Sequence, residues 1–306
     1  MARTLLVLRA LGVGDLLTAV PALRALHRTH RAHRLVLAAP AALEPLAALT
    51  GAVDAVLAAQ PLQPLPEATE CADVAVNLHG RGPQSHRVLI EARPRRLMAF
   101  AHAEVPETAG APAWRPDEHE VKRWCRLLQE YGIPADPTDL RLPSRAGSHC
   151  ATVIHPGAAS PARRWPPDRW AKVAAAERVA GRRVVVTGAR AEVGLAHRVA
   201  EQAGLDGAAV LAGRTDVREL AEIVAGARAV VAGDTGVAHL ATAFGTSSVT
   251  LFGPTPPALW GPPPAWRDRH VVLWKGTTGD PHAGAPDPGL LRIEPEEVIA
   301  ALRSVR

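Results

Sequence analysis

The 306-residue chain has only three cysteines, Cys71, Cys125 and Cys150, and no two of them stand at C-x-x-C spacing. A sparse, odd-numbered set of this kind argues against a disulfide framework and a zinc knuckle, and points to a reducing cytoplasm. Lysine is nearly missing too. Of 35 basic residues only Lys122, Lys172 and Lys275 are lysines, although the net charge is +5. Arginine, alanine and proline in excess read as the coding bias of GC-rich DNA, so much of the basicity carries no functional information. The remainder is compatible with an anionic small molecule or a membrane surface. Aromatic residues make up 4% and do not interleave with basic ones. A nucleic-acid partner would need such a stacking platform and is not expected. No apolar run approaches the ~18 residues of a membrane span. MARTLLVLRALGVGD has no small-residue cleavage site after its apolar run and reads as a first β-strand rather than a signal peptide.

What remains is ordinary for a soluble globular chain, with 47% hydrophobic and 21% charged residues. The length suits about two domains of ~150 residues. Short apolar runs at 4–8, 35–38, 74–78 and 97–100 alternate with helix-patterned segments such as 16–29 and 41–50. That alternation predicts a parallel sheet covered on both faces. The pattern restarts with ATVIHPG at 151–157, RRVVVTGAR at 182–190, AAVLAG at 208–213, RAVVAGDTG at 228–236 and SSVTLFGPT at 247–255. Helical periodicity fills 167–180, 191–203, 216–227 and 237–244 between them. LPSRAGSH, 142–149, has the composition of a linker. The expectation is an α/β chain of two doubly wound domains, 1–145 and 151–285, followed by a helical segment, 286–306, that carries Pro295 in its first turn. Ligands of such sheets sit beyond the strands' carboxyl ends, so the cleft between the domains is the expected site. The Pro/Gly-rich stretch 253–289 is too irregular for a helix and reads as a lid or a surface connection.

Several strand ends carry chemistry. Gly233-Asp234-Thr235-Gly236 leads into a helix with His239 one turn in, which presents backbone N–H groups and a positive helix end to a phosphate. Asp234 would repel that phosphate, so it either caps the helix or bonds a sugar hydroxyl. In HPGAASPARRWPPDRW, 155–170, the small residues Gly157 and Ala158 stand near Arg163 and Arg164. Guanidinium groups pair bidentately with a diphosphate; Trp165 and Trp170 read as core. In LRALGVGD the G-x-G at 12–14, including Gly14, tempts towards a dinucleotide fold. Leu17 replaces the third glycine, however, and no acid ends the second strand. Asp15 is then either a general base at the sheet edge or a helix cap. Pro21 suggests a helix that starts late or kinks, leaving Asp15 free. NLHGRGPQSHR, 77–87, offers His79, Arg81, Gln84 and His86 to hydroxyls or phosphate. His27, His30 and His33 recur every third residue, which suits a solvated basic helix end first and an anionic acceptor or lipid surface second. Glu192 suits either ribose hydroxyls or an ordinary first helical turn. No P-loop, H-E-x-x-H or Ser-His-Asp arrangement occurs.

Taken in order, GVGDLLTAVPALRAL, HPGAASPARRWPPDRW, VVVTGARAEVGLAHRVA, the long run LAGRTDVRELAEIVAGARAVVAGDTGVAHLATAFGTSSVTLFGPT and the closing EEVIAALRSV resemble the ADP-heptose:lipopolysaccharide heptosyltransferases, glycosyltransferase family 9. The resemblance implies a GT-B fold of two Rossmann-like domains, acceptor on the first and nucleotide-sugar on the second, with no metal and no cofactor beyond the ADP-sugar donor. It implies that Asp15 is the catalytic base and that Asp234, Thr235, Gly236 and His239 form the donor motif. Arg163 falls where members usually carry lysine and would act on the leaving diphosphate. Glu192 falls near the ribose-binding acid, and Thr215 and Leu220 fall near the base. Gly14, Gly157 and Ala158 join the donor contacts, and the 77–87 loop the acceptor contacts. The chain's stretch GTTGDPHAGAPDPG differs from the cysteine-bearing tail of many members. Its GC-rich composition suggests acceptors other than lipopolysaccharide, such as another glycan, a lipid-linked saccharide or a secondary metabolite. The alternatives are a transferase or 2-epimerase for UDP- or GDP-sugars on the same fold, and a non-catalytic nucleotide-sugar-binding homologue.

Overall fold

A computed structural model describes residues 3–66, 72–144, 147 and 150–305. Cys71 and most of the second half of the 142–149 linker lie outside the described residues. The chain divides into two compact units, Met1–Leu140 and Arg141–Arg306.

The first unit is a five-stranded, all-parallel sheet built from β1 (Arg3–Leu8), β2 (His33–Ala39), β3 (Ala55–Ala58), β4 (Val74–Asn77) and β5 (Leu97–Met98), ordered β3-β2-β1-β4-β5. Its helices are α1 (Val13–Thr29), α2 (Glu44–Leu49), α3 (Gln84–Glu91) and α4 (Glu120–Glu130). Leu5, Leu6 and Val7 of β1 are wholly buried because neighbouring strands and helices cover the central strand on every side. β3 escaped the sequence reading because DAVLAA is short and lies at the sheet edge, half-buried. Helix α1 also differs from expectation. It starts at Val13 and runs through Pro21 without a break. The proline gives up one backbone bond, and the burial of Leu16, Leu17, Val20, Leu23 and Leu26 on the same helix offsets that loss.

The second unit carries β6 (Thr152–His155), α5 (Pro167–Val179), β7 (Val184–Val186), α6 (Val193–Gln202), α7 (Val217–Ala225), β8 (Ala229–Gly233), α8 (Gly236–Phe244), β9 (Ser248–Leu251), α9 (Pro257–Trp260), β10 (His270–Leu273), α10 (Pro288–Leu291) and α11 (Pro295–Ser304). Its strands are parallel in the order β10-β9-β8-β6-β7. The strand expected at 208–213 shrinks to one parallel bridge between Val210 and Val186. A 3-10 turn at Gly207–Ala209 and the positive φ of Gly213 (69°) leave no length for more. Counting that bridge as a vestigial edge strand, both sheets have the Rossmann order. The 253–289 stretch supplies β10, α9 and α10. It was illegible because prolines and glycines surround the four-residue strand HVVL. Trp165 and Trp170 are core, their rings edge to face at 5.0 Å, and α11 packs on α5 with Val298 and Leu302 buried.

In each sheet the chain leaves in opposite directions from one pair of adjacent strands, and an open crevice forms there at the carboxyl ends. The pair is β1 and β4 in the first unit, and β6 and β8 in the second. The loops that carry Asp15, His79, Arg163 and Asp234 all follow these four strands.

Candidate functional site

The crevice of the first unit is organised by a residue the sequence reading passed over. Arg9 directly follows the buried run of β1, and its guanidinium is fully enclosed. Its Nε donates to the Asp15 carbonyl (2.9 Å). Its Nη2 donates to Asp15 Oδ1 (3.3 Å), Thr18 Oγ1 (3.1 Å) and Glu120 Oε1 (3.0 Å), and its Nη1 to the Leu78 carbonyl. The guanidinium lies over the Trp124 ring at 4.9 Å. The signal was an arginine ending an otherwise apolar strand, because a cation there must be paired once buried.

Asp15 is less free than expected. It is the third residue of α1, and its Oδ2 accepts the Gly12 N–H at 3.1 Å. The cap and the Arg9 contact take one bond on each oxygen, and the side chain keeps 28% exposure. Burial lifts the carboxyl above its ordinary pKa; Arg9 opposes the rise and Glu120 adds to it. Gly14 sits beside it in the first turn of α1.

Beyond β4, the backbone N–H of His79 is held by Asn77 Oδ1 (2.8 Å), while its buried Nδ1 has no partner. Burial, reinforced by Arg9, pushes the His79 ring down to about 4, so it is neutral near pH 7. Arg81 on the same loop and Gln84 at the start of α3 are exposed. His86 is not available to a ligand. It is wholly buried, its Nε2 meets the Phe100 carbonyl at 2.7 Å, and its Nδ1 meets Asn77 Nδ2 at 3.3 Å. It fastens the loop.

The second crevice has the opposite character. Thr235 is the N-cap of α8, but its side chain makes no capping bond, and its buried Oγ1 has no partner. Arg163 Nη1 donates to the Asp234 carbonyl (3.1 Å) and lies 4.0 Å from Asp234 Oδ2, while its buried Nε is unpartnered. Asp234 therefore does not cap the helix. Burial pushes its carboxyl up to about 6, against the opposing pull of Arg163. Gly233 allows close packing, since a Cβ there would stand a tight 3.3 Å from the Arg163 carbonyl oxygen. A helix end without a side-chain cap, an unpartnered hydroxyl and an unpartnered guanidinium N–H stand together here, donors of the kind that suit a multiply charged anion.

Around it, Gly157 packs under Glu192, where a Cβ would come within 2.2 Å of the carboxylate. Glu192 is also a first-turn acid, since its Oε2 accepts the Ala189 N–H at 2.8 Å. Ala158 is buried, and its carbonyl holds Arg164 Nε at 2.8 Å. His239 meets Trp260 edge on, with ring centroids 5.9 Å apart. Thr215 and Leu220 are half-buried, just before and within α7, which packs on α8.

Residues 110–288, more than half of the chain, match the family model described as glycosyltransferase family 9 (heptosyltransferase). The chain belongs to glycosyltransferase family 9. Among curated proteins, lipopolysaccharide heptosyltransferase 1 of Pseudomonas aeruginosa is 35% identical over 161 residues, covering 49% of this family 9 chain and 43% of that protein. The chain thus spans less than half the length of the curated relatives it matches. Two solved structures share the fold. A family 9 glycosyl transferase from Veillonella parvula has a TM-score of 0.80 at 18% identity, covering 99% of this chain and 96% of that one. The ADP-heptose LPS heptosyltransferase II of E. coli has a TM-score of 0.75 at 21% identity, covering 98% and 97%. The two parallel α/β units are therefore those of the GT-B heptosyltransferases.

The other expectations of the sequence fall outside the two crevices. Arg24 and Arg28, on the histidine-rich end of α1, are ion-paired with Asp139, and the His30 and His33 rings meet edge on at 5.3 Å. No cluster of three or more His, Cys, Asp or Glu side chains is placed to hold a metal ion among the described residues. Among them, no helix is long and apolar enough to cross a membrane.

Proposed function

We propose that this family 9 chain is a metal-independent, inverting glycosyltransferase that moves a heptose or a related sugar from an ADP-sugar to an acceptor hydroxyl. The single observation that carries the reading is the start of α8, where no side chain caps the helix and Thr235 Oγ1 and Arg163 Nε have no partner among the described residues. A pyrophosphate satisfies all three, and the negative charge on a departing nucleoside diphosphate grows at that point. Stabilising charge where it develops is the largest contribution such a site makes. The E. coli neighbour is an ADP-heptose LPS heptosyltransferase, which supports the choice of donor.

In this mechanism Asp15 takes the proton from the acceptor hydroxyl as its oxygen forms a bond to the anomeric carbon. The bond from that carbon to the diphosphate oxygen breaks, and ADP leaves with the electron pair. One displacement inverts the anomeric centre. Arg163 and the amides of α8 compensate the charge of the leaving group. Glu192 and His239 bind the nucleoside end of the donor, with Gly14, Gly157 and Ala158 giving close backbone approach and Thr215 and Leu220 near the base. His79, Arg81 and Gln84 bind an acceptor that is a glycan, a lipid-linked saccharide or a secondary metabolite.

The test is calorimetry with ADP, UDP and GDP, followed by turnover of ADP-heptose with candidate acceptors and proton NMR of the product anomer. Preferential binding of ADP, an inverted product and full activity in EDTA are expected. Preference for UDP or GDP, or a retained anomer, overturns the reading.

A further inference from the structure

We propose that Glu120 is a positioning residue for Asp15, acting through the Arg9 guanidinium that the two carboxylates share. The proposal rests on the reading of Asp15 as the base. A guanidinium devoted to one carboxylate forms a strong pair that holds the acid ionised and robs it of basicity. Arg9 is not devoted to Asp15. A single nitrogen, Nη2, serves both acids, and the contact to Glu120 (3.0 Å) is shorter than the contact to Asp15 (3.3 Å). The Glu120 side chain is 7% exposed and that of Asp15 28%, so the shorter contact is also the drier and less screened one.

Glu120 is held so that it keeps this claim on Arg9. Its Oε1 accepts Trp124 Nε1 at 2.9 Å and its Oε2 accepts Arg123 Nη1. Arg123 Nη2 is spent on the carbonyls of Arg115, Pro116 and Glu118. The Trp124 ring beneath Arg9 fixes the plane of the fork. Arg9 thus anchors the Asp15 backbone through Nε while much of its charge is drawn away to Glu120. The groups that face Asp15 are few: the Gly12 N–H on its own helix, Arg9 at the end of β1, and Glu120 on α4. His79, after β4, faces Arg9 and is held neutral. Burial is the main cause that raises the Asp15 carboxyl; Arg9 opposes the rise and Glu120 adds to it.

The test is Glu120→Gln, which keeps the shape and an acceptor for Trp124 and Arg9 but removes the charge. Titration of the Asp15 carboxyl by 13C NMR reads the coupling without any need for turnover. Its midpoint is expected to fall by about one pH unit, a tenfold loss of proton affinity. The acidic limb of kcat/KM moves down with it and kcat on the plateau falls, while KM for the ADP-sugar stays put. Arg9→Met alone is expected to raise the Asp15 midpoint, because the cation that opposes the rise is lost. Should Glu120→Gln fail to fold, Glu120→Asp draws the carboxylate back by one methylene and gives a smaller fall in the same direction. A midpoint that stays or rises in a folded variant overturns the proposal, even if turnover still requires Asp15. A midpoint that falls in a protein whose turnover does not need Asp15 overturns the reading of the base instead.

Discussion

The two units use one topology for opposite electrostatic ends. In both, a helix begins at the crevice beyond β1 or β8. At α1 the third residue is an acid, and the Asp15 carboxylate accepts the N–H of the N-cap Gly12. A negative charge already occupies the place a phosphate would take, and a buried arginine compensates it. At α8 the helix end is open: Thr235 makes no cap, and the guanidinium beside it has a donor to spare. The two helix starts thus differ at position three, which is an acid in α1. Ala238 stands there in α8, so no side chain competes for the amides.

The sharpest way to break this contrast is to remove the acid of the first unit. Asp15→Asn is expected to lower kcat by about 10²–10⁴-fold, the usual worth of a positioned base, with ADP affinity unchanged by calorimetry. Retained turnover would falsify its role. The matching lesion in the second unit is Arg163→Met. It is expected to raise the Kd for ADP by about 10²-fold, in line with loss of a charge-assisted contact, with little change in melting temperature. A large loss of stability with unchanged ADP affinity would make the residue structural.

Asp234 sharpens the contrast through pH. Its folded pKa is raised to about 6. A raised carboxylate binds more protons folded than unfolded, so its contribution to stability falls as pH rises from about 4 to about 6. Asp234→Asn should therefore raise the melting temperature at pH 7 and lose that advantage below about pH 4. A bound diphosphate drives the acid further towards its protonated form, so ADP affinity should weaken as pH rises through 6 and on towards neutrality. The same calorimetric series on the asparagine variant should be flatter. The smallest expected effect is Thr235→Val. The hydroxyl has no partner inside the protein, so its loss should leave unfolding nearly unchanged and cost about 1 kcal/mol in ADP binding.

The strand-turn-helix at 229–244 was legible along the chain because it is local. Gly233, Asp234, Thr235, Gly236 and His239 lie within seven residues, and strand-turn-helix geometry converts that spacing directly into a crevice edge. Arg163 was legible for a similar reason, as a guanidinium set among small residues and prolines. The first unit was less so. Asp15 could be picked out, but its partners Arg9 and Glu120 are 111 residues apart, and nothing in either segment announces the pairing. His86 misled because a polar residue on a glycine-rich loop looks the same whether it faces out or pins the loop to Phe100. The 208–213 run misled because apolar content does not say whether a neighbouring strand is long enough to pair with it.

By itself the sequence determined the alternation of strand and helix, the restart that makes two units, and the amide-lined turn at 233–236, since periodicity and short-range spacing act before any long-range contact forms. Only the tertiary structure decided which buried charges neutralise one another, how far Asp15 is tied down and that Asp234 holds its proton too tightly. These depend on desolvation and on distances between segments far apart in the chain, and both quantities exist only once the core has closed around them.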